Sequence, residues 1–144
     1  MQQLDHLEDL EALVACEPML HIRYSEGPDD DAAGGSIDTE SGLELPGLSV
    51  NPLTPEFWWT RPLGDWIARQ LCQYKHLQEN NPERFAWVLH GRQVGRGPDC
   101  EPLLVDIEPI AQLSSTLLAE AEQRYRENFN VGSGPEDDNR PNDD

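Results

Sequence analysis

The stretch Phe85-Ala86-Trp87-Val88-Leu89-His90 decides how the rest of the chain is arranged. Its large apolar residues alternate with smaller or polar ones, which predicts a β-strand with one strongly apolar face. A second aliphatic run at residues 103–107 predicts a partner strand, and the glycine-rich residues 91–102 would connect the two. We therefore expect a β-sheet at the centre of the protein.

Three regions near the N-terminus are predicted to form a helix and short strands. Leucine and valine recur at steps of three and four residues over residues 3–16, which predicts an amphipathic helix. Residues 20–25 alternate between apolar and polar side chains and predict a strand. Residues 43–50 form short extended pieces interrupted by prolines, so we expect two short strands or one bent strand there.

Two helices complete the predicted fold. Thr60 is a candidate N-cap with Pro62 just inside the first turn, and apolar residues follow at helical spacing up to Asn80. A third helix is expected to begin near Ser114 or Ser115. The element order indicates an α+β fold, a small mixed or antiparallel sheet with about three helices, in a single domain over residues 1–130.

Two acidic segments have no helical or strand period. Residues 26–41 are rich in Gly, Pro, Asp and Ser and predict a long loop, which is either a lid over a ligand or a disordered segment. Residues 131–144 lack the apolar content needed to fold, so we expect a disordered acidic tail.

Charge is the most unusual property of the composition. The 144 residues include 28 acidic and 10 basic ones, a net charge of -18. Such a charge opposes phosphate and argues against direct nucleic-acid binding. Residues 1–60 contain 13 acidic residues and a single basic one, Arg23. The acidity is therefore concentrated in the N-terminal part and in the tail.

Several protein classes are disfavoured by the sequence. There is no apolar stretch of the roughly 20 residues that a membrane helix needs, nor a basic N-terminal segment followed by an apolar run, so we expect a cytoplasmic protein. The three cysteines have no close pairs and the four histidines are isolated, so neither a disulfide framework nor a metal site is expected. The common phosphate-binding, dinucleotide-binding and hydrolase motifs are absent.

Residues 91–102 form the most informative local motif. Glycines there permit close backbone approaches, and Arg92 and Arg96 offer planar donor forks that suit phosphate or carboxylate. One interpretation is an anion site. The other is a tight turn between adjacent strands, with both arginines paired to surface acids.

Arg23 is open to two interpretations as well. It lies on the polar face of a predicted strand beside His21 and Ser25. A lone arginine in such acidic sequence is either kept for an anionic ligand or paired with a local carboxylate such as Glu26 or Glu44.

Four segments together resemble a small uncharacterised family of actinobacterial proteins over about residues 4–130. They are Arg23-Tyr24-Ser25, residues 41–53 (SGLELPGLSVNPL), Arg61-Pro62-Leu63 and residues 94–99 (VGRGPD). This resemblance implies a family and no activity.

At the level of the fold, the sequence is also similar to the ADP-ribosyltransferases. In one branch of that family an arginine on the first strand, a serine heading a second strand and a glutamate at a late strand bind NAD and promote transfer. The matching residues are Arg23, Ser49 and Glu101, although Val50 and Asn51 depart from the usual Ser-Thr-Ser context and Asp99 replaces the second Glu or Gln.

The ADP-ribosyltransferase similarity implies a role for each residue. Glu101 and Ser49 would be catalytic, with Glu101 stabilising the oxocarbenium-like charge as nicotinamide leaves. Arg23 would contact the NAD phosphates, with Arg92 or Arg96 as a second contact. The similarity makes NAD the expected cosubstrate.

A rival hypothesis needs no catalysis. The acidic N-terminal part, with Asp29-Asp30-Asp31, would bind a basic protein partner, as a mimic of nucleic-acid phosphate.

Overall fold

The computed structural model describes residues 1–72 and 82–129, and it confirms the predicted α+β class. The elements, in chain order, are β1 (Gln2–Leu4), α1 (Leu7–Cys16), β2 (His21–Ser25), α2 (Pro28–Gly34), β3 (Leu48–Ser49), β4 (Asn51–Pro52), α3 (Leu63–Cys72), β5 (Phe85–Arg96), β6 (Pro102–Leu113) and α4 (Ser115–Asn128).

Within the described residues, the strands form one open sheet in the order β1-β6-β5-β2-β4, with β3 also paired to β6. β1 runs parallel to β6, and the other pairings are antiparallel. The β5–β6 hairpin therefore forms the centre of the sheet. It brings β2 and β3, which come from earlier in the chain, to the same region.

This hairpin is longer than the sequence predicts. Strands were expected at residues 85–90 and 103–107, but β5 and β6 have 12 residues each. Most of the expected connection over residues 91–102 is strand, and only residues 97–101 form the turn. Glycine is typical of turns, which is why a connection was expected here. Gly91 instead lies inside β5, near a register shift between the two strands, where a Cβ would come within 3.0 Å of the Leu104 side chain.

Three helices cover one face of the sheet. α1, α3 and α4 pack together over a core that includes Leu10, Ile22, Ile67 and Leu117, all fully buried. The predicted strand at residues 20–25 is confirmed as β2. Of the extended pieces expected over residues 43–50, only Leu48–Ser49 forms a strand, β3, and a second short strand, β4, lies just beyond that range at Asn51–Pro52. No helix in the described part of the chain is long and apolar enough to cross a membrane.

The predicted boundaries of the later helices are largely confirmed. α4 begins where expected, since Ser114 Oγ accepts a hydrogen bond from the Leu117 N–H at 3.2 Å as an N-cap. α3 begins at Leu63, and the part predicted beyond Cys72 lies outside the described residues. The predicted tail at 131–144 also lies outside them.

The N-terminal helix predicted over residues 3–16 is wrong in its first turn. Gln2–Leu4 form β1, and the helix begins only at Leu7. Backbone pairing with β6 competes with helix formation, because Leu4 is in register with Leu113 at the edge of the sheet. The Leu7 N–H, at the start of α1, donates to Glu120 Oε1 of α4 at 2.8 Å.

The long loop predicted over residues 26–41 is also wrong. It contains α2, with Pro28 in the first turn, Asp29, Asp30 and Asp31 beside it, and an isolated bridge between Ile37 and Glu44 beyond. Proline and carboxylates are favourable in the first turn of a helix. The Pro- and Asp-rich composition that predicted a loop is therefore also typical of the start of a helix. We call residues 27–47 the strap.

The strap lies over the second face of the sheet. That face carries a smaller apolar cluster built from Leu48, Val50, Trp87, Leu89 and Leu104. Both faces of the central hairpin are therefore covered by other parts of the chain, one by three helices and the other by the strap.

Candidate functional site

Ser49 and Glu101 are joined by a short hydrogen bond. Ser49 Oγ donates to Glu101 Oε2 at 2.6 Å. The two residues are 52 positions apart, and they meet because β3 pairs with the start of β6, where Ser49 is in register with Leu103. A hydroxyl bond to a carboxylate at this distance is of the strong, charge-assisted type.

The turn between β5 and β6 fixes the second oxygen of Glu101. Oε1 accepts the Asp99 N–H at 3.0 Å, and the Gly97 N–H donates to the Glu101 carbonyl at 2.8 Å. The carboxylate lies over Gly97, where a Cβ would be only 2.5 Å from Glu101 Cδ. The glycine thus provides the space that the carboxylate occupies.

Arg23 reaches the same residues from β2. Its Nη1 donates to the Ser49 carbonyl oxygen at 2.8 Å. Ser49 therefore contacts Arg23 through its backbone and Glu101 through its hydroxyl. The structure brings together the three residues that the ADP-ribosyltransferase similarity singled out.

Arg23 also forms an ion pair, but with neither Glu26 nor Glu44. Nε donates to Asp31 Oδ2 at 2.8 Å, and Nη2 donates to Asp31 Oδ1 at 3.1 Å. The expected partners were wrong because helix α2 presents Asp31, buried, to β2. A guanidinium has five N–H bonds, so two stay without a partner among the described residues, one on each terminal nitrogen.

Two serines hold this arrangement in place. Ser25 Oγ donates to Asp31 Oδ2 at 2.6 Å and accepts the Trp87 indole N–H at 3.0 Å. Ser36, in the strap, accepts the Ser49 N–H on its Oγ at 3.1 Å. The strap is thus tied to the site at Asp31 and at Ser36.

A cavity of about 590 Å³ opens beside these residues, and we call it the arginine cavity. It is lined by Arg23, Arg84, Ser49 and Glu101, together with Asp99 and residues of the strap. Arg84, just before β5, was not singled out by the sequence, because no local motif marks it. The cavity offers an anion two guanidinium groups.

A second cavity, also about 590 Å³, lies on the other side of Glu101, and we call it the polar cavity. Its lining includes His21, Asn51, Gln93 and Arg96. The two cavities share three residues, which are Ser49, Asp99 and Glu101. The hydrogen-bonded serine and glutamate therefore border both.

The two arginines of residues 91–102 do not act together. Arg96 lines the polar cavity and donates from Nη1 to the Cys100 carbonyl at 2.6 Å. Arg92 is exposed and pairs with Asp106 across the hairpin at 3.0 Å, and it lines neither cavity. The expected anion site with both arginines is not formed, since the two side chains lie at different places along a long strand.

His21 is the buried titratable group of the polar cavity, and it lies two residues before Arg23 on β2. Burial lowers the pKa of its imidazole, and the charge of His90 nearby acts in the same direction, while the Met19 backbone opposes them. Its Nδ1 has no hydrogen-bond partner among the described residues. The ring is therefore neutral at pH 7.

A third cavity lies beneath the strap, with a volume of about 270 Å³, and we call it the apolar cavity. Trp87, Leu104 and Ile107 form its floor on the sheet, and α2 forms part of its wall. It shares Gly35, Ser36 and Leu45 with the arginine cavity.

The fold and the site together define an α+β protein with an open sheet and a serine–glutamate pair between two polar cavities. The chain belongs to the family of unknown function DUF6098, whose model matches residues 1–138. This confirms the resemblance to an uncharacterised family. No curated protein and no solved structure matches the chain.

Proposed function

We propose that the protein binds NAD across the arginine cavity and transfers its ADP-ribosyl group. The observation that carries the proposal is the chain of contacts from the Arg23 guanidinium to the Ser49 carbonyl, and from the Ser49 hydroxyl to Glu101. A cationic group for phosphate thereby stands beside a carboxylate that is held rigidly for the ribose.

The charges of the arginine cavity suit the two ends of this substrate. Arg23 keeps two N–H bonds for a phosphate, and Arg84 supplies a second cation to the same cavity. The carboxylates of Asp38, Glu40, Asp99 and Glu101 also line it. These acids favour the positive charge of the nicotinamide ring and the positive charge that develops on the ribose.

The reaction follows from the position of Glu101. The bond between ribose C1′ and the nicotinamide nitrogen breaks, and its electron pair leaves with nicotinamide, which becomes neutral. A lone pair of the acceptor then forms a new bond to C1′, and the acceptor's proton passes to the Glu101 carboxylate and on to water. Glu101 also accepts a bond from the ribose hydroxyl and stabilises the oxocarbenium-like charge.

Ser49 is a positioning residue in this scheme. Its hydroxyl occupies one oxygen of Glu101, and its backbone is held by both Arg23 and Ser36. A carboxylate fixed on both oxygens needs little reorganisation when charge develops next to it, and such preorganisation is a large part of catalysis.

The acceptor is water or a group on another molecule. The net charge of -18 disfavours a polyanionic acceptor and favours a basic protein. The acidic N-terminal part of the chain, which the rival hypothesis assigns to binding a basic partner, would then recruit the acceptor. If the protein does not bind NAD, its acidity supports only the second candidate function, which is non-enzymatic binding of a basic protein.

NAD titration of the labelled protein, followed by amide NMR, tests the proposal together with an assay of nicotinamide release. We expect saturable shifts at Arg23, Ser49 and Glu101, and loss of release in Glu101→Gln with the fold intact. Glu108→Gln is the matched control, since Glu108 is an exposed residue of β6 that lines neither polar nor arginine cavity. A dispersed spectrum without shifts at millimolar NAD would contradict the proposal.

A further inference from the structure

We infer that the apolar cavity beneath the strap is the binding site for the adenine base of the dinucleotide. The inference rests on the proposed function and goes beyond it, because it assigns a separate cavity and fixes the direction in which NAD lies. The order of the three cavities carries the argument.

The apolar cavity adjoins the arginine cavity along the strap. Gly35, Ser36 and Leu45 line both. In addition, Asp31 lines the apolar cavity while Arg23, its ion-pair partner, lines the arginine cavity. A phosphate bound to Arg23 therefore lies next to the space beneath the strap.

The chemistry of the cavities changes along the same path. Beneath the strap the walls are mainly apolar, with Trp87, Leu104 and Ile107 on the sheet side and Asp31 and Ser36 as the polar members. The arginines come next, and after them the Ser49–Glu101 pair. Beyond this pair the polar cavity is lined by His21, Asn51 and Gln93 among others.

NAD has the same order of groups from one end to the other. Adenine has two flat apolar faces, the diphosphate needs cations, and the nicotinamide carboxamide needs polar partners. Only one direction matches each group to its cavity, with adenine beneath the strap and nicotinamide beside Glu101. The apolar cavity, at about 270 Å³, lies just below the usual range of about 300–1,000 Å³ for whole ligands, so it suits one base.

Ser36 supplies the polar contact that such a base requires. It is buried, and its Oγ accepts the Ser49 N–H, which leaves the hydroxyl hydrogen to donate to a ring nitrogen of adenine. Because Ser36 lines both cavities, it stands at the border that the nucleotide would cross.

The test uses two neighbouring alanines of helix α2. Ala32 is exposed and lines the apolar cavity, whereas Ala33 is exposed and does not. Ala32→Phe would fill the cavity, and Ala33→Phe is the matched control with the same change of residue in the same helix. Amide spectra of both variants establish that each is folded.

Calorimetric titrations with NAD, ADP-ribose and nicotinamide mononucleotide distinguish the outcomes. We expect Ala32→Phe to lower the affinity for NAD and for ADP-ribose by about tenfold or more, which is the loss expected for one stacked base. Nicotinamide mononucleotide, which has no adenine, should bind as it does to the wild type, and Ala33→Phe should change none of the three.

The other outcomes separate this inference from the proposed function. Unchanged NAD affinity in a folded Ala32→Phe variant overturns the adenine site and leaves the NAD proposal standing. An equal loss for nicotinamide mononucleotide also overturns it, since the effect would then come from the strap and Arg23. Absence of binding of all three ligands to the wild type overturns the proposed function and the adenine site together.

Discussion

Gly97 and Glu101 close the turn between β5 and β6, with the carboxylate of Glu101 lying in the space that a side chain on Gly97 would fill. The Gly97 N–H donates to the Glu101 carbonyl at 2.8 Å, and a Cβ on Gly97 would come within 2.5 Å of Glu101 Cδ. The position of the proposed catalytic group thus depends on the absence of one carbon atom.

Gly97→Ala should therefore displace the Glu101 carboxylate from Ser49. We expect nicotinamide release to fall by about tenfold or more, because losing about 1.4 kcal/mol of transition-state stabilisation is already a factor of ten. Stability should change little, since a flexible side chain at an exposed turn can move away. Gly95→Ala is the control, because nothing lies within 4 Å of a Cβ at that position. Equal activity in the two variants would contradict the prediction.

Ser49→Ala removes the hydroxyl that donates to Glu101. We expect a loss of activity of about tenfold or more, since hydrogen bonds to charged groups contribute about 1.5–3 kcal/mol. Ser114→Ala is the control, because it removes a serine hydroxyl that accepts the Leu117 N–H at the start of α4 and lines neither the polar nor the arginine cavity. Nicotinamide release is the measurement, and a similar loss in both variants would show that the serine acts only through general stability.

Asp31→Ala should be strongly destabilising. The side chains of Arg23 and Asp31 are only 17% and 7% exposed, so the substitution leaves a largely buried guanidinium without its carboxylate. We expect the free energy of unfolding to fall by about 3 kcal/mol. Asp30→Ala, at the exposed neighbouring position, should change it by less than about 0.5 kcal/mol. Urea denaturation of both variants checks the difference, and similar midpoints would rule out the Asp31 ion pair as a stabilising contact.

His21 should make the protein less stable in mild acid. Burial lowers its pKa below the ordinary 6.5, so the unfolded chain takes up a proton that the folded chain does not. The part of the unfolding free energy that is linked to His21 is therefore present above pH 6.5 and is lost as the pH falls below that value. His6 contributes to the pH dependence of stability with the opposite sign, because its hydrogen bond and charge interaction with Glu120 raise its pKa.

Substitution of each histidine separates the two contributions. Between about pH 7 and pH 5.5, His21→Gln should reduce the loss of unfolding free energy, whereas His6→Gln should increase it. Urea titrations at several pH values provide the measurement. If both variants kept the wild-type slope, neither histidine would be linked to folding in this range.

Ionic strength distinguishes NAD binding from binding to a basic partner. A basic peptide such as oligo-lysine should lose affinity steeply as salt rises from about 0.05 to 0.5 M, because exposed charges are screened. NAD affinity should fall much less, since Arg23 is half-buried and acts at short range. Parallel titrations of both ligands are the measurement. Equally steep salt dependence would indicate that NAD binds only to the surface.

The sequence predicts the fold well where side-chain periodicity is strong. β2, α3 and α4 begin at or near their expected residues, because apolar side chains at regular spacing report directly on burial. It fails at β1, where pairing with β6 outweighs a helical pattern, and at α2. In α2 the helix signal lies in Pro28 and the three aspartates that follow it, which are residue types equally typical of turns.

The candidate site is a different kind of problem. The sequence identifies Arg23, Ser49 and Glu101 as candidate site residues by their types and order. It does not predict that Ser49 meets Glu101, because that contact depends on the pairing of β3 with β6 over a long sequence separation. Asp31 and Arg84 were missed because only the folded chain brings them to the site. Local patterns thus identify the elements, and long-range pairing decides which side chains meet.

The pairing of β1 with β6 has a consequence for how the fold is completed. The Leu4 carbonyl accepts the Ser114 N–H at 3.0 Å, and the Leu7 N–H donates to Glu120, so β1 and the start of α1 are held by residues more than 100 positions later in the chain. During synthesis β1 therefore has no pairing partner until β6 has emerged. Because loop closure over such a distance is slow, docking of this edge strand is expected to be a late step in folding.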